Sequence, residues 1–200
     1  MNRSELKAKA KQCLGGGIFQ TNWLTALLGY LITTAIISLS SLTAVGPIIV
    51  LGPISYGLSL FFLNQARSGS AFNIVDLFAG FKDCFLDSFL IGLLTTVFTC
   101  LWSLLFIIPG IVKSYAYSMA FNVKVDHPDY DWRQCIEESK RLTNGHKGEL
   151  FMLDLSFIGW LFVGALCLGI GTLWVTPYMS ATKTQAYLAL TAGSAAPVEN

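Results

Sequence analysis

Two ionisable side chains, Asp154 and Lys183, stand inside segments that otherwise carry almost no charge. They lie nearly equally far in sequence from Gly169, so two antiparallel helices joined at Gly169-Ile170-Gly171 bring carboxylate and ammonium to almost the same depth. A charge at the bilayer centre costs at least about 2.5 to 3.5 kcal/mol. The pair is therefore either a salt bridge that fixes packing, with the lysine snorkelling to the inner interface, or a proton- or ion-coupling site. Lys113 follows Pro109 by one turn with no carboxylate at matching depth; it snorkels, or it meets a lipid phosphate or an anionic solute. Lys140, Arg141, His146 and Lys147 cluster where a new apolar segment begins. A helix N-terminus attracts anions, so a lipid headgroup can dock there, although ordinary positive-inside anchoring explains the same residues.

Two polar stripes run at helical spacing: Ser114, Ser118 and Asn122 after Gly110, and Thr172, Thr176, Ser180 and Thr184. Small polar stripes let membrane helices approach and hydrogen-bond, or they line a polar pathway. Pro53 and Pro177 fall inside apolar segments, where prolines are tolerated and can free backbone groups for a ligand. Enzyme signatures are missing. There is no Gly-x-Ser-x-Gly, no His-Glu-x-x-His and no Walker loop, so no catalytic residue and no cofactor is expected. The Asp126, His127, Asp129, Asp131 cluster reads as a solvated turn with an N-cap, and no metal site is expected.

The elements that must hold these residues are apolar helices. No charged residue occurs from Gln12 to Ala66, from Ser88 to Val112 or from Leu155 to Thr182. Of the 200 residues 54% are hydrophobic and 12% charged, against about 25% charged in an average soluble domain. Runs of this length cross a bilayer core of about 30 Å as helices. Net charge +1 with scattered charges excludes a nucleic-acid partner. Five cysteines without a Cys-x-x-Cys pair indicate neither a disulfide framework nor a zinc site.

The expected fold is all-α, a single integral membrane domain over residues 1–192 with a short tail at 193–200. Six spanning helices are expected at about Thr21 to Leu42, Ile48 to Ala66, Phe85 to Ile108, Ile111 to Val125, Lys147 to Leu168 and Thr172 to Ala192. They pair as three hairpins in units 1–67, 68–125 and 126–192. Each is preceded by an amphipathic surface helix: residues 3–14 beyond a possible Asn2/Glu5 capping box, 68–84, and Asp131 to Leu142 with Asp131 as N-cap. Turns are expected at Gly46-Pro47, Pro109-Gly110 and Gly169-Ile170-Gly171, and a hinge at Gly15-Gly16-Gly17. The outer turns carry no basic residue, so both termini are expected in the cytoplasm.

Several stretches taken together resemble domain-of-unknown-function family 975, a family of bacterial integral membrane proteins. They are Arg3-Ser4-Glu5-Leu6-Lys7, Gly52-Pro53 with Gly57-Leu58-Ser59, Ala66-Arg67, Asp76-Leu77-Phe78 with Gly80-Phe81, and Ile108-Pro109-Gly110-Ile111 with Lys113. Tyr117-Ser118-Met119, Gly145-His146-Lys147-Gly148, Leu153-Asp154-Leu155-Ser156-Phe157-Ile158-Gly159-Trp160, Gly169-Ile170-Gly171 and Pro177-Tyr178 complete the set. Cys135 and Thr143-Asn144 depart from the family pattern. The resemblance implies a multi-helix protein of the bacterial cytoplasmic membrane and no catalytic residue. Function is expected in one of two classes. The first is a non-enzymatic scaffold binding a partner, a lipid or a second copy of itself in the bilayer; the second is a small oligomeric transporter or channel.

Overall fold

A computed structural model describes residues 3–15, 21–43, 46–68, 73–105, 107–166 and 170–195. Among these residues the regular structure is entirely helical. Among the described residues, three helices are long and apolar enough to cross a membrane: Thr21–Ser40, Gly46–Ser68 and Phe85–Leu104.

α1 (Arg3–Cys13) carries Glu5 in its first turn and Lys11 in its last, charges that complement the helix dipole. It ends where Gly15 takes φ 95° and donates its N–H to Gln12 O at 2.9 Å, a backbone conformation that favours glycine. The i, i+4, i+8 face of Leu6, Ala10 and Leu14 is buried, and α1 packs on α10 (Ile170–Ala195). Its apolar face is thus taken up by protein, whereas the sequence pattern alone suggested a helix lying on the membrane surface. Asn2 of the expected capping box, Gly16 and Gly17 of the hinge, and the tail beyond 195 lie outside the described residues.

α2 (Thr21–Ser40) and α3 (Gly46–Ser68) have 20 and 23 residues, about 30 and 35 Å of helix at 1.5 Å per residue. Gly46 and Pro47 open α3 instead of forming a turn before it. The expected surface segment after α3 is a 3-10 turn, Ile74–Phe78, running into α4 (Ala79–Lys82), with Asn73 Oδ1 accepting from Val75 N at 3.1 Å as the N-cap. A Cβ on Gly57 would collide with the Leu77 carbonyl, and one on Gly80 with the Pro53 carbonyl, so glycines let this segment lie directly on the α3 backbone.

α5 (Phe85–Leu105) stops earlier than expected, and Pro109-Gly110 does not break a helix. Pro109 is the third residue of α6 (Ile107–Tyr117). In a first turn the missing proline N–H has no intrahelical acceptor to lose. The expected fourth helix is two: α6, and α7 (Ala120–Asp126) after a break at Ser118-Met119. α8 (Trp132–Thr143) begins at Asp131 as expected, in a capping box whose Asp131 N–H donates to Gln134 Oε1 at 2.9 Å. α9 (Lys147–Leu166) and α10 are the remaining helices. Ile170 and Gly171 of the expected turn belong to α10 instead, and its first residue, Gly169, lies outside the described residues.

Two compact units result, one of Met1–Leu31, Phe62–Phe72 and Gly148–Asn200, the other of Ile32–Phe61 and Asn73–Lys147.

Candidate functional site

In the second unit α6 and α7 run back along α5. Lys113 Nζ lies 5.2 Å from the Trp102 ring centroid, the Phe98 and Tyr117 rings are 6.3 Å apart, and Lys124 meets Asp87. The last contact is a clasp. Lys124 Nζ donates to Asp87 Oδ2 at 2.6 Å, Pro128 O at 3.0 Å and Tyr130 O at 2.7 Å. An ammonium has three donors, and all three are used. The Lys124 side chain is 2% exposed and that of Asp87 33%, so the ammonium is sealed while the carboxylate keeps some access to solvent. This lysine ties α7 to the first turn of α5 and to the loop leading into α8. The sequence reading missed both residues. A signal existed: Asp87 and Lys124 are nearly equidistant from the α5–α6 junction, the same relation that singled out Asp154 and Lys183.

The break between α6 and α7 exposes backbone groups that α8 repairs. Ser139 Oγ donates to Ala116 O at 2.8 Å and accepts from Met119 N at 3.2 Å, within a buried setting. One hydroxyl therefore replaces the ladder bonds lost at the discontinuity. Thr143, one turn further along α8 and also buried, returns its own hydroxyl proton to Ser139 O at 2.8 Å.

Beside this break a cleft of about 450 Å3 opens between α5 and α6, its lining including the hydroxyls of Thr95, Thr96, Thr99 and Ser103 from α5, Ser114 from α6, and Ser118 in the break. Discontinuous membrane helices with irregular backbone beside a polar cavity are a recurrent setting for binding sites. Ser114 and Ser118 of the first polar stripe face this space. Asn122 does not; it is buried with its amide 3.8 Å from Met119 Sδ.

The first unit holds the charge pair singled out in the sequence. Lys183 Nζ is 3.1 Å from Asp154 Oδ2, with side chains 43% and 22% exposed, a more open pair than the Lys124 clasp. Nearby, Lys7 Nζ sits 4.2 Å above the Phe157 ring, whose edge meets Tyr178 at 5.3 Å, and Tyr178 donates its hydroxyl proton to Lys7 O at 3.4 Å. Burial, then the neighbouring Arg3 charge, pushes the Lys7 ammonium pKa down. The exposed end of α1 is capped by tertiary side chains: Cys13 O accepts from Gln65 Nε2 at 2.7 Å and Asn22 Nδ2 at 3.4 Å, and Gln185 Nε2 lies 3.2 Å from Cys13 Sγ. In the second stripe Ser180 hydrogen-bonds Tyr30, Thr176 returns its proton to Thr172 O at 2.8 Å, and Thr184 is buried.

The basic residues singled out in the sequence each have contacts of their own. Lys140 Nζ lies 5.6 Å from the Tyr117 ring. Arg141 donates through Nε and Nη2 to Glu138 at 2.8 and 2.6 Å, and these hydrogen bonds hold the Glu138 carboxyl below its ordinary value. His146 donates its backbone N–H to Thr143 O at 3.1 Å, and Lys147 begins α9. Asp131 serves as the cap of α8, and His127 stacks on Tyr130 at 4.4 Å.

Residues 105–194 match the family model described as protein of unknown function, DUF975. The DUF975 segment includes Ser114, Ser118, Lys124, Ser139, Asp154 and Lys183, and with them six of the resembling stretches: those around Pro109, Tyr117, His146, Asp154, Ile170 and Pro177. Asp87 and the α5 wall of the cleft precede it. The description of DUF975 assigns no activity, so none passes to this chain. No curated protein and no solved structure matches the chain.

Proposed function

We propose that this chain is a non-enzymatic, multi-pass protein of the bacterial cytoplasmic membrane that acts as a scaffold for a partner protein or lipid. Six spans in three hairpins are proposed, α2 with α3, α5 with the interrupted α6 and α7, and α9 with α10. The helices ahead of them support the plan: α1, the 3-10 turn with α4, and α8 each precede one pair. Both termini are proposed to lie in the cytoplasm. Maleimide labelling of a Lys9→Cys variant from outside intact cells contradicts that orientation.

The observation that carries the scaffold reading is the Lys124 clasp. A charge that couples transport must change partner or protonation during the cycle. Lys124 instead has every donor engaged, one on Asp87 and two on backbone carbonyls, and a change of partner would have to break these fixed contacts. The hydroxyl-lined cleft favours a second reading, a small oligomeric transporter or channel. Purification in a mild detergent, followed by mass spectrometry of co-purifying proteins and lipids, tests the first. A stoichiometric protein or lipid is expected; recovery of the chain with bulk lipid alone counts against a scaffold.

A further inference from the structure

We propose that the cleft between α5 and α6 binds a neutral polyhydroxyl group, a glycerol or sugar moiety, presented either by a lipid headgroup or as a free polyol. The proposal deepens the lipid-binding side of the scaffold reading and rests on it only in that lipid is one of the partners considered.

The argument begins with what the wall can offer. Thr95 and Thr96 donate their hydroxyl protons to Ile91 O and Gly92 O, each at 2.7 Å, and Ser114 and Ser118 donate theirs to Ile111 O and Tyr115 O, each at 2.8 Å. With protons committed to their own helices, these four oxygens have only lone pairs left for a ligand. Thr99 and Tyr117 differ. Neither hydroxyl has a hydrogen-bond partner among the described residues, and both side chains line the cleft. Tyr117 is only 7% exposed, so an unpartnered phenol in a largely buried side chain faces this space. The Tyr117 hydroxyl keeps its access to this open space, and a ligand that accepts from it takes the place of the solvent it reaches.

The wall thus combines fixed acceptors with free donors, the pattern that a hydroxyl group, itself donor and acceptor, satisfies from both sides. Among the described residues no Asp, Glu, Lys, Arg or His lines the cleft, so an ion entering it would lose hydration without gaining a countercharge. The Lys113 and Lys140 ammonium groups lie over the Trp102 and Tyr117 rings and are not part of the lining. The ring of Phe121 completes the wall with an apolar face against which the C–H face of a polyol can pack. A space of about 450 Å3 falls in the range of small-molecule sites.

The test uses the full chain purified in a detergent without a sugar headgroup and transferred to phosphatidylcholine nanodiscs. Radiolabelled glycerol and glucose are the soluble probes, and a monoglucosyl diacylglycerol added to the bilayer is the lipid probe. Saturable binding of at least one is expected, and which one distinguishes headgroup from free polyol. Tyr117→Phe removes an oxygen that has no hydrogen-bond partner among the described residues, so the fold should be untouched while binding weakens roughly three- to tenfold, the effect of one neutral hydrogen bond. Thr99→Val makes the same test from α5 should the first variant unfold. No saturable binding of any probe, binding unchanged in both variants, or glycerol 3-phosphate binding more tightly than glycerol overturns the proposal. Solute flux on the same protein separates the two readings: binding with flux leaves the cleft assignment standing and removes the scaffold, whereas neither binding nor flux does the reverse.

Discussion

Replacing Lys124 by Met keeps the length and apolar stem of the side chain and removes only the ammonium. Asp87 then loses its cation, and the carbonyls of Pro128 and Tyr130 lose a donor. Breaking a buried pair by removing one partner costs about 3 to 5 kcal/mol. Asp87 is one-third exposed, so water stabilises the stranded carboxylate and moves the expectation to the lower end. The two carbonyls, deprived of a charged donor, act in the opposite direction. The expected loss is about 3 kcal/mol, read from unfolding titrations in mixed micelles followed by near-ultraviolet circular dichroism. Adding Asp87→Leu should recover at least about 1 kcal/mol of it, because the stranded charge disappears. A Lys124→Met protein within about 0.5 kcal/mol of the parent, inside the range of ordinary surface changes, refutes the view that this clasp holds α5, α7 and the loop before α8 together.

Three further outcomes are expected. Ser139→Ala strands Ala116 O and Met119 N at the helix break and should cost about 1 to 3 kcal/mol, with faster amide exchange confined to residues around 116–120; uniform exchange across the chain argues against a local repair. Asp154→Asn and Lys183→Gln, combined in a double-mutant cycle on thermal stability, should couple by at least about 0.5 kcal/mol, and strict additivity refutes the 3.1 Å pair. Burial pushes the Cys135 thiol from 9.0 up to about 11. The unfolded thiol therefore ionises first as pH rises, and stability contributed by Cys135 is present below about pH 9 and lost toward pH 11. The parent should lose more stability than Cys135→Ala between pH 8.5 and 10.5; equal losses contradict the sign.

How much of this was legible in sequence depends on whether the signal is local. α8 was readable because its cap, Asp131, and its buried side, Cys135, Ile136 and Ser139, lie within a dozen residues, whereas the Gln134 half of the capping box came only with the structure. The start of α5 at Phe85 and of α9 at Lys147 followed from where charge gives way to apolar residues. Pro109 misled because a proline marks a helix end only from the interior; in a first turn it is compatible with helix. The α6–α7 break had no local marker at all. Tyr117-Ser118-Met119 contains neither glycine nor proline, and the group that makes the break tenable, Ser139, arrives from another helix. Lys124 was missed because a basic residue near the end of an expected span is ordinary; only the fold delivers its two carbonyls. The first polar stripe separated into two roles for the same reason, since Ser114 and Ser118 face the cleft while Asn122, one turn on, is packed away.

The scaffold reading is tested most directly by solute flux in liposomes holding the purified chain, with folded Asp87→Asn and Asp154→Asn variants beside it. Flux indistinguishable from protein-free liposomes in all three preparations is the predicted result. Flux in the parent that either carboxylate substitution abolishes would show that these charges move solutes or protons, and would replace the scaffold with a transporter.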